Sequence, residues 1–141
     1  MLVKIWKTGL EHIKAKRPCQ DRYLTVLTDD VLILAVADGH GGKAYVRSGF
    51  GARMACQTAA DVLKNRMTDC SEYGCLVKDR FDSYVKKHLA RKPLSDRERF
   101  LLGDNPPEYA YGTTLLAARI TENETFILHI GDGQIHVINH E

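Results

Sequence analysis

Strands, then two long helices, then strands again: that order along the 141 residues predicts an α+β fold, with antiparallel β-sheets covered by long helices. Three observations predict it. Residues 23–27 and 31–37 are rich in β-branched and large apolar side chains and are separated by Thr28-Asp29-Asp30, which has the chemistry of a tight turn. From Lys43 the apolar period changes from two to three and four, as one face of a helix requires. Beyond residue 110 the strand pattern returns in three runs, 111–120, 125–130 and 134–138.

The elements follow in order. Residues 2–6 alternate weakly and predict an edge strand, and residues 8–18, polar and broken by Gly9 and Pro18, predict a loop. The pair 23–27 and 31–37 predicts a β-hairpin. Val46, Phe50, Met54, Ala55, Ala59, Val62 and Leu63 predict the buried stripe of a long helix, with Arg47, Arg53, Gln57, Asp61 and Lys64 mostly on its other faces. Val77, Phe81, Tyr84, Val85 and Leu89 predict a second helix closed by Pro93. Ser95 is placed to cap a short third helix, which Gly103-Asp104-Asn105-Pro106-Pro107 ends. Thr121 to Glu124 and Gly131-Asp132-Gly133 join the last three runs. There is no internal repeat.

Composition narrows the function. A hydrophobic share of 44% beside 27% charged residues suits one domain with a core. A formal net charge of +2 lacks the basic excess that a phosphate-tracking surface needs, which argues against nucleic acid. No stretch approaches the ~18 apolar residues of a membrane span, and the first residues lack a signal-peptide pattern. The four cysteines have no zinc-site spacing, so free thiols and a cytoplasmic setting are expected.

Three acidic residues stand among small residues at strand ends or turns: Asp21 after Pro18-Cys19-Gln20, Asp38 before Gly39-His40-Gly41-Gly42, and Asp132 between Gly131 and Gly133. Carboxylate oxygens are the ligands that hard cations such as Mg²⁺ and Mn²⁺ prefer. Asp132 by itself reads more readily as a turn, whereas Asp38 ends an apolar strand that no plain turn needs. His88, His129, His136 and His140 share no ligand spacing, and His12 reads as readily as a surface residue. Thr113 and Thr114 have no adjacent base and read as strand residues rather than nucleophiles. Lys86, Lys87, Arg91 and Lys92 read as the solvated end of a helix.

Gln20-Asp21, the hairpin into Ala35-Val36-Ala37-Asp38-Gly39-His40-Gly41-Gly42, the following helix, Tyr111-Gly112-Thr113-Thr114 and Gly131-Asp132-Gly133 occur in one order. That series resembles the metal-dependent type 2C protein serine/threonine phosphatases, particularly their compact bacterial members. Gly9, His12 and Pro18-Cys19-Gln20-Asp21 look like a bacterial variant of the family's opening motif.

The resemblance implies a two-metal Mn²⁺ or Mg²⁺ site that hydrolyses phosphoserine or phosphothreonine in a phosphoprotein with metal-activated water. It implies that Asp38 bridges the metals, that the Gly39 carbonyl touches one, that Asp21 holds metal-bound waters, and that Asp132 binds a looser third metal. It places His40 as the general acid. The family's phosphate-binding arginine falls at Lys16, with Arg17 beside it; lysine supplies charge without a bidentate fork. The family's domain runs on past Gly-Asp-Gly with two more aspartates and further strands. Residues 1–141 are therefore expected to be a single, N-terminal part of such a domain. Weak metal binding, slow or absent turnover, and self-association through unpaired strands are expected with it. A non-catalytic, phosphatase-like binding module and a purely structural metal domain are the alternatives.

Overall fold

The computed structural model describes residues 13–14, 18–65 and 71–138. Expectations for residues 2–6, His12, Lys16, Arg17, Cys70 and His140 lie outside them. Ile13 and Lys14, within the segment expected to be a loop, are helical.

The hairpin forms as expected, with β1 at Arg22–Leu27 and β2 at Leu32–Ala37 paired antiparallel from Arg22↔Ala37 to Leu27↔Leu32. Thr28 closes its turn: its N–H donates to the Val31 carbonyl at 2.9 Å, and its hydroxyl accepts from the Val31 N–H at 3.1 Å. The second hairpin, β3 at Leu115–Ile120 and β4 at Thr125–Ile130, repeats this chemistry with Thr121 and Glu124. The four strands form one antiparallel sheet in the order β1-β2-β3-β4.

Two corrections concern the third sheet region. Residues 111–114 precede the strand rather than belonging to it: a 3₁₀ turn spans Pro107–Tyr111, and Thr113 makes a single bridge to Gly39. Residues 134–138 are not a strand. Gly131 and Gly133, with φ of +94° and +123°, turn the chain out of line with β4. Ile135, Val137 and Ile138 are left exposed. An alternating pattern becomes a strand only where a neighbouring edge supplies ladder hydrogen bonds.

α1, Ser48–Leu63, begins later than the period suggests, after turns at 42–46. It is buried nearly all round because Gly51, Ala52, Ala55, Ala59 and Ala60 let it lie between the sheet and α2. Arg47, expected on a polar face, is instead buried at its start. α2, Ser71–Arg91, buries Tyr73, Val77 and Val85. The main core joins α1 to Ile33, Ala35, Ala37, Leu115, Ala117 and Leu128, the alternate residues on one sheet face. On the opposite face Tyr23, Leu27, Val36 and Ile127 are exposed.

α3, Asp96–Leu102, has the expected cap: the Ser95 hydroxyl accepts from the Glu98 N–H, and the Glu98 carboxylate accepts from the Ser95 N–H. Ser95→Ala is expected to cost about 1 kcal/mol. Urea denaturation reads the effect, and an unchanged midpoint would deny the cap any share in stability.

Candidate active site

The hairpin register delivers two carboxylates to one place. Because Arg22 pairs with Ala37, the next positions along the ladder are Asp21 and Asp38, and then Gln20 and Gly39. Facing residues of an antiparallel pair point to the same side. Accordingly the Asp21 carboxyl lies near enough to that of Asp38 to raise its pKa. Gly39 permits the approach: a Cβ there would lie 2.8 Å from the Gln20 carbonyl oxygen and 3.0 Å from the Ser48 carbonyl carbon. Gln20 is tied down in turn, its Nε2 donating to the buried Ser48 hydroxyl at 2.6 Å at the start of α1.

From the other side, β3's approach holds the Asp38 backbone. The Asp38 N–H donates to the Thr114 hydroxyl at 3.1 Å, and the Asp38 carbonyl accepts from the Thr114 N–H at 3.0 Å and the Thr113 hydroxyl at 2.8 Å. One residue on, the His40 N–H donates to the Gly112 carbonyl at 3.1 Å. Thr113 and Thr114 thus do more than pack. No local pattern in the sequence announces this, because their partner is 75 and 76 residues away.

Asp38 is exposed as a residue, yet its carboxyl is partly sheltered, and its pKa is raised. Burial is the largest cause; the hydrogen bond and charge of Asp21 come next, and Asp132 adds to them while His40 opposes. Asp21, Asp38, Gly39 and His40 are therefore gathered, and Asp132 acts on them from an exposed turn. Among the described residues no three His, Cys, Asp or Glu side chains converge to enclose a cation. The donors that do meet are hard oxygens, and two neighbouring carboxylates whose charges oppose each other are an arrangement that a divalent cation relieves. They fit Mn²⁺ or Mg²⁺ in an open shell.

Aromatic rings flank His40. Tyr45 packs on it with ring centroids 4.7 Å apart, Tyr109 stacks on Tyr45 at 4.7 Å, and the Tyr45 hydroxyl donates to that of Tyr109 at 2.6 Å. That bond is the main reason the Tyr45 hydroxyl's pKa is raised. Sequence reasoning missed this pair, whose members lie 64 residues apart.

Of the remaining residues, His88 and Cys56 fall away from the site, whereas Cys19 adjoins it. His88 stacks on Phe50 at 3.9 Å and shares a 2.7 Å hydrogen bond with Tyr111. Cys19 is buried, its thiol 3.5 Å from an Asp21 oxygen, and burial pushes the Cys56 thiol up to about 12. Cys19, Cys56 and Cys75 are free thiols. Among the described residues no helix is long and apolar enough to cross a membrane.

No curated protein and no solved structure matches the chain. A family model described as protein phosphatase 2C matches residues 8–141, which takes in both hairpins, α1 to α3 and every residue of the carboxylate site. The chain belongs to the protein phosphatase 2C family.

Proposed function

We propose that this phosphatase-family chain is a Mn²⁺- or Mg²⁺-dependent protein serine/threonine phosphatase that works in a reducing, cytoplasmic setting. The Asp21–Asp38 pair, set side by side at the hairpin end by the strand register, is the observation that carries the reading. When bound, the cation supplies a more acidic water and offsets charge on the phosphoryl oxygens.

The chain's own residues do the rest. Asp38 and the Gly39 carbonyl hold the cations, Asp21 orients water, and Asp132 offers a looser ligand. Thr113 and Thr114 keep the Asp38 peptide from turning. Lys16 and Arg17 neutralise the phosphate. As water adds to phosphorus, releasing a proton to solvent, and the ester P–O bond breaks, His40 gives its proton to the departing serine or threonine oxygen and regains one from solvent.

The test is release of phosphate from a phosphoserine peptide with Mn²⁺, by wild type and Asp38→Asn. Metal-dependent turnover lost in the variant supports the reading. Capture of the peptide without turnover overturns it in favour of a binding module. Turnover is expected to be slow and Mn²⁺ affinity weak, since the described carboxylates form an open shell.

Tyr23, Leu27, Val36 and Ile127 on the open sheet face favour self-association of the chain. Light scattering is expected to show a mass that rises with concentration, and a monomer throughout would remove the idea.

A further inference from the structure

We propose that Tyr45, backed by Tyr109, is a positioning residue that clamps the His40 imidazole in one orientation beside Asp38; its catalytic consequence rests on the phosphatase reading above. His40 follows two residues behind Asp38 in a run with three glycines, Gly39, Gly41 and Gly42, so its own segment gives its side chain little lateral support. A half-buried imidazole there has several rotamers open to it unless neighbours exclude them.

The neighbours come from the turn that follows His40 and from a segment distant in sequence. Tyr45 leans over the imidazole at an interplanar angle of 60°, and Tyr109 lies nearly parallel behind Tyr45 at 26°. The hydroxyl bond between the tyrosines locks the ladder at its outer end. Gly112 closes it from below: a Cβ there would sit 2.6 Å from the Tyr45 ring and 2.8 Å from His40 Cδ2. The Gly112 carbonyl meanwhile holds the His40 N–H.

Both tyrosines are themselves anchored. The Tyr45 N–H donates to the Gly42 carbonyl at 3.1 Å, and the Tyr109 N–H to the Pro106 carbonyl at 2.9 Å. The clamp therefore joins the turn after Asp38 to the 3₁₀ turn before Thr113, the two segments that carry the site. It fixes where the imidazole points without touching a reacting atom, and an acid misplaced by an ångström costs about a hundredfold.

Tyr45→Phe, which keeps the ring, and Tyr45→Ala, which removes it, are compared with wild type by two readouts. In carbon–proton NMR the His40 ring signals, assigned with His40→Gln, are expected to be displaced by the adjacent tyrosine ring in wild type and Tyr45→Phe, and to move to free-imidazole positions in Tyr45→Ala. Identical His40 signals in all three proteins would overturn the clamp. With Mn²⁺, Tyr45→Ala is expected to lower kcat on a phosphoserine peptide about 10–100-fold with KM unchanged. Its kcat on p-nitrophenyl phosphate, whose leaving group needs no proton, is expected to hold, and Tyr45→Phe to keep most of the peptide activity. Equal losses on both substrates, or a change in KM alone, would overturn positioning through His40. A wild type without metal-supported turnover overturns the phosphatase reading and the clamp's catalytic role with it, while the NMR comparison still decides the clamp itself.

Discussion

Arg47→Ala is expected to lower the unfolding free energy by about 3 kcal/mol, the lower end of the range for breaking a buried ion pair. The Arg47 side chain is 6% exposed, and all its polar atoms are engaged. Nε and Nη2 donate to the two Glu98 oxygens at 2.8 and 3.0 Å; Nη1 donates to the Lys92 carbonyl and the Tyr111 hydroxyl, both at 2.7 Å; Nη2 donates to the Pro93 carbonyl at 2.9 Å. One guanidinium thus joins α1, the carbonyls just past α2, the cap of α3 and the 3₁₀ turn. The lower end applies because Glu98, 25% exposed, regains water when its partner goes. Arg47→Lys is expected to recover little, since an ammonium cannot span both Glu98 oxygens and the two carbonyls. Urea denaturation measures both variants, and a loss under about 1 kcal/mol would mean that solvent replaces the network at no cost.

The same cluster sets an acid dependence. The Arg47 hydrogen bonds, with a smaller contribution from Ser95, hold the Glu98 carboxyl down at about 2, against an ordinary 4.5. A depressed folded-state value means stability that is fully present above pH 4.5 and lost as pH falls toward 2. The gap in stability between wild type and Arg47→Ala should therefore narrow across that window. His88 adds a separate arm at higher pH. Its pKa is lowered, first by burial and then by the charges of Arg47 and Lys92, so stability falls as pH drops below its ordinary 6.5. His88→Phe, which keeps a ring against Phe50, is expected to remove this arm and leave the Glu98 arm in place. Urea midpoints across the pH range separate the two.

Gly39→Ala is expected to abolish the Mn²⁺-dependent rise in Tm while costing about 1–3 kcal/mol of stability. The added methyl meets backbone on two sides, the Gln20 carbonyl and Ser48, and neither is the loose end of a side chain. The cheapest relief is to push Gln20 and Asp21 away from Asp38, which separates the carboxylates meant to share a cation. Gly41→Ala serves as the control, because a methyl there meets nothing within 4 Å. Thermal melts with and without Mn²⁺ read both variants. A full metal shift retained in Gly39→Ala would show that cation binding does not need Asp21 beside Asp38.

Much of this architecture could be read locally. The first hairpin follows from β-branched runs around Thr28-Asp29-Asp30, and α3 from Ser95 and Glu98, because turns and caps are made by residues within three or four positions of one another. Asp38 stood out because an apolar strand ended in glycines, and its pairing with Asp21 follows once the hairpin register is known. Residues 134–138 misled because alternation alone does not supply a pairing edge. Arg47 misled because a charged residue at a helix start ordinarily faces water, whereas here five acceptors from elsewhere surround it.

By itself, then, the sequence determined the α+β order and the turns and caps, which rest on short-range stereochemistry, and the candidacy of Asp21, Asp38 and His40, which rests on acidic residues set among small ones and on a motif order that resembles a known family. Tertiary structure alone decided that Thr113 and Thr114 hold Asp38, that Tyr45 and Tyr109 cover His40, and that Arg47 meets Tyr111. The hydrogen-bonded pairs behind these contacts, Thr113 and Thr114 with Asp38, Tyr45 with Tyr109 and Arg47 with Tyr111, are 64 to 76 residues apart. No helical or strand period links residues so distant, and only packing the sheet on α1 and threading the 3₁₀ turn past its start brings them within hydrogen-bonding range.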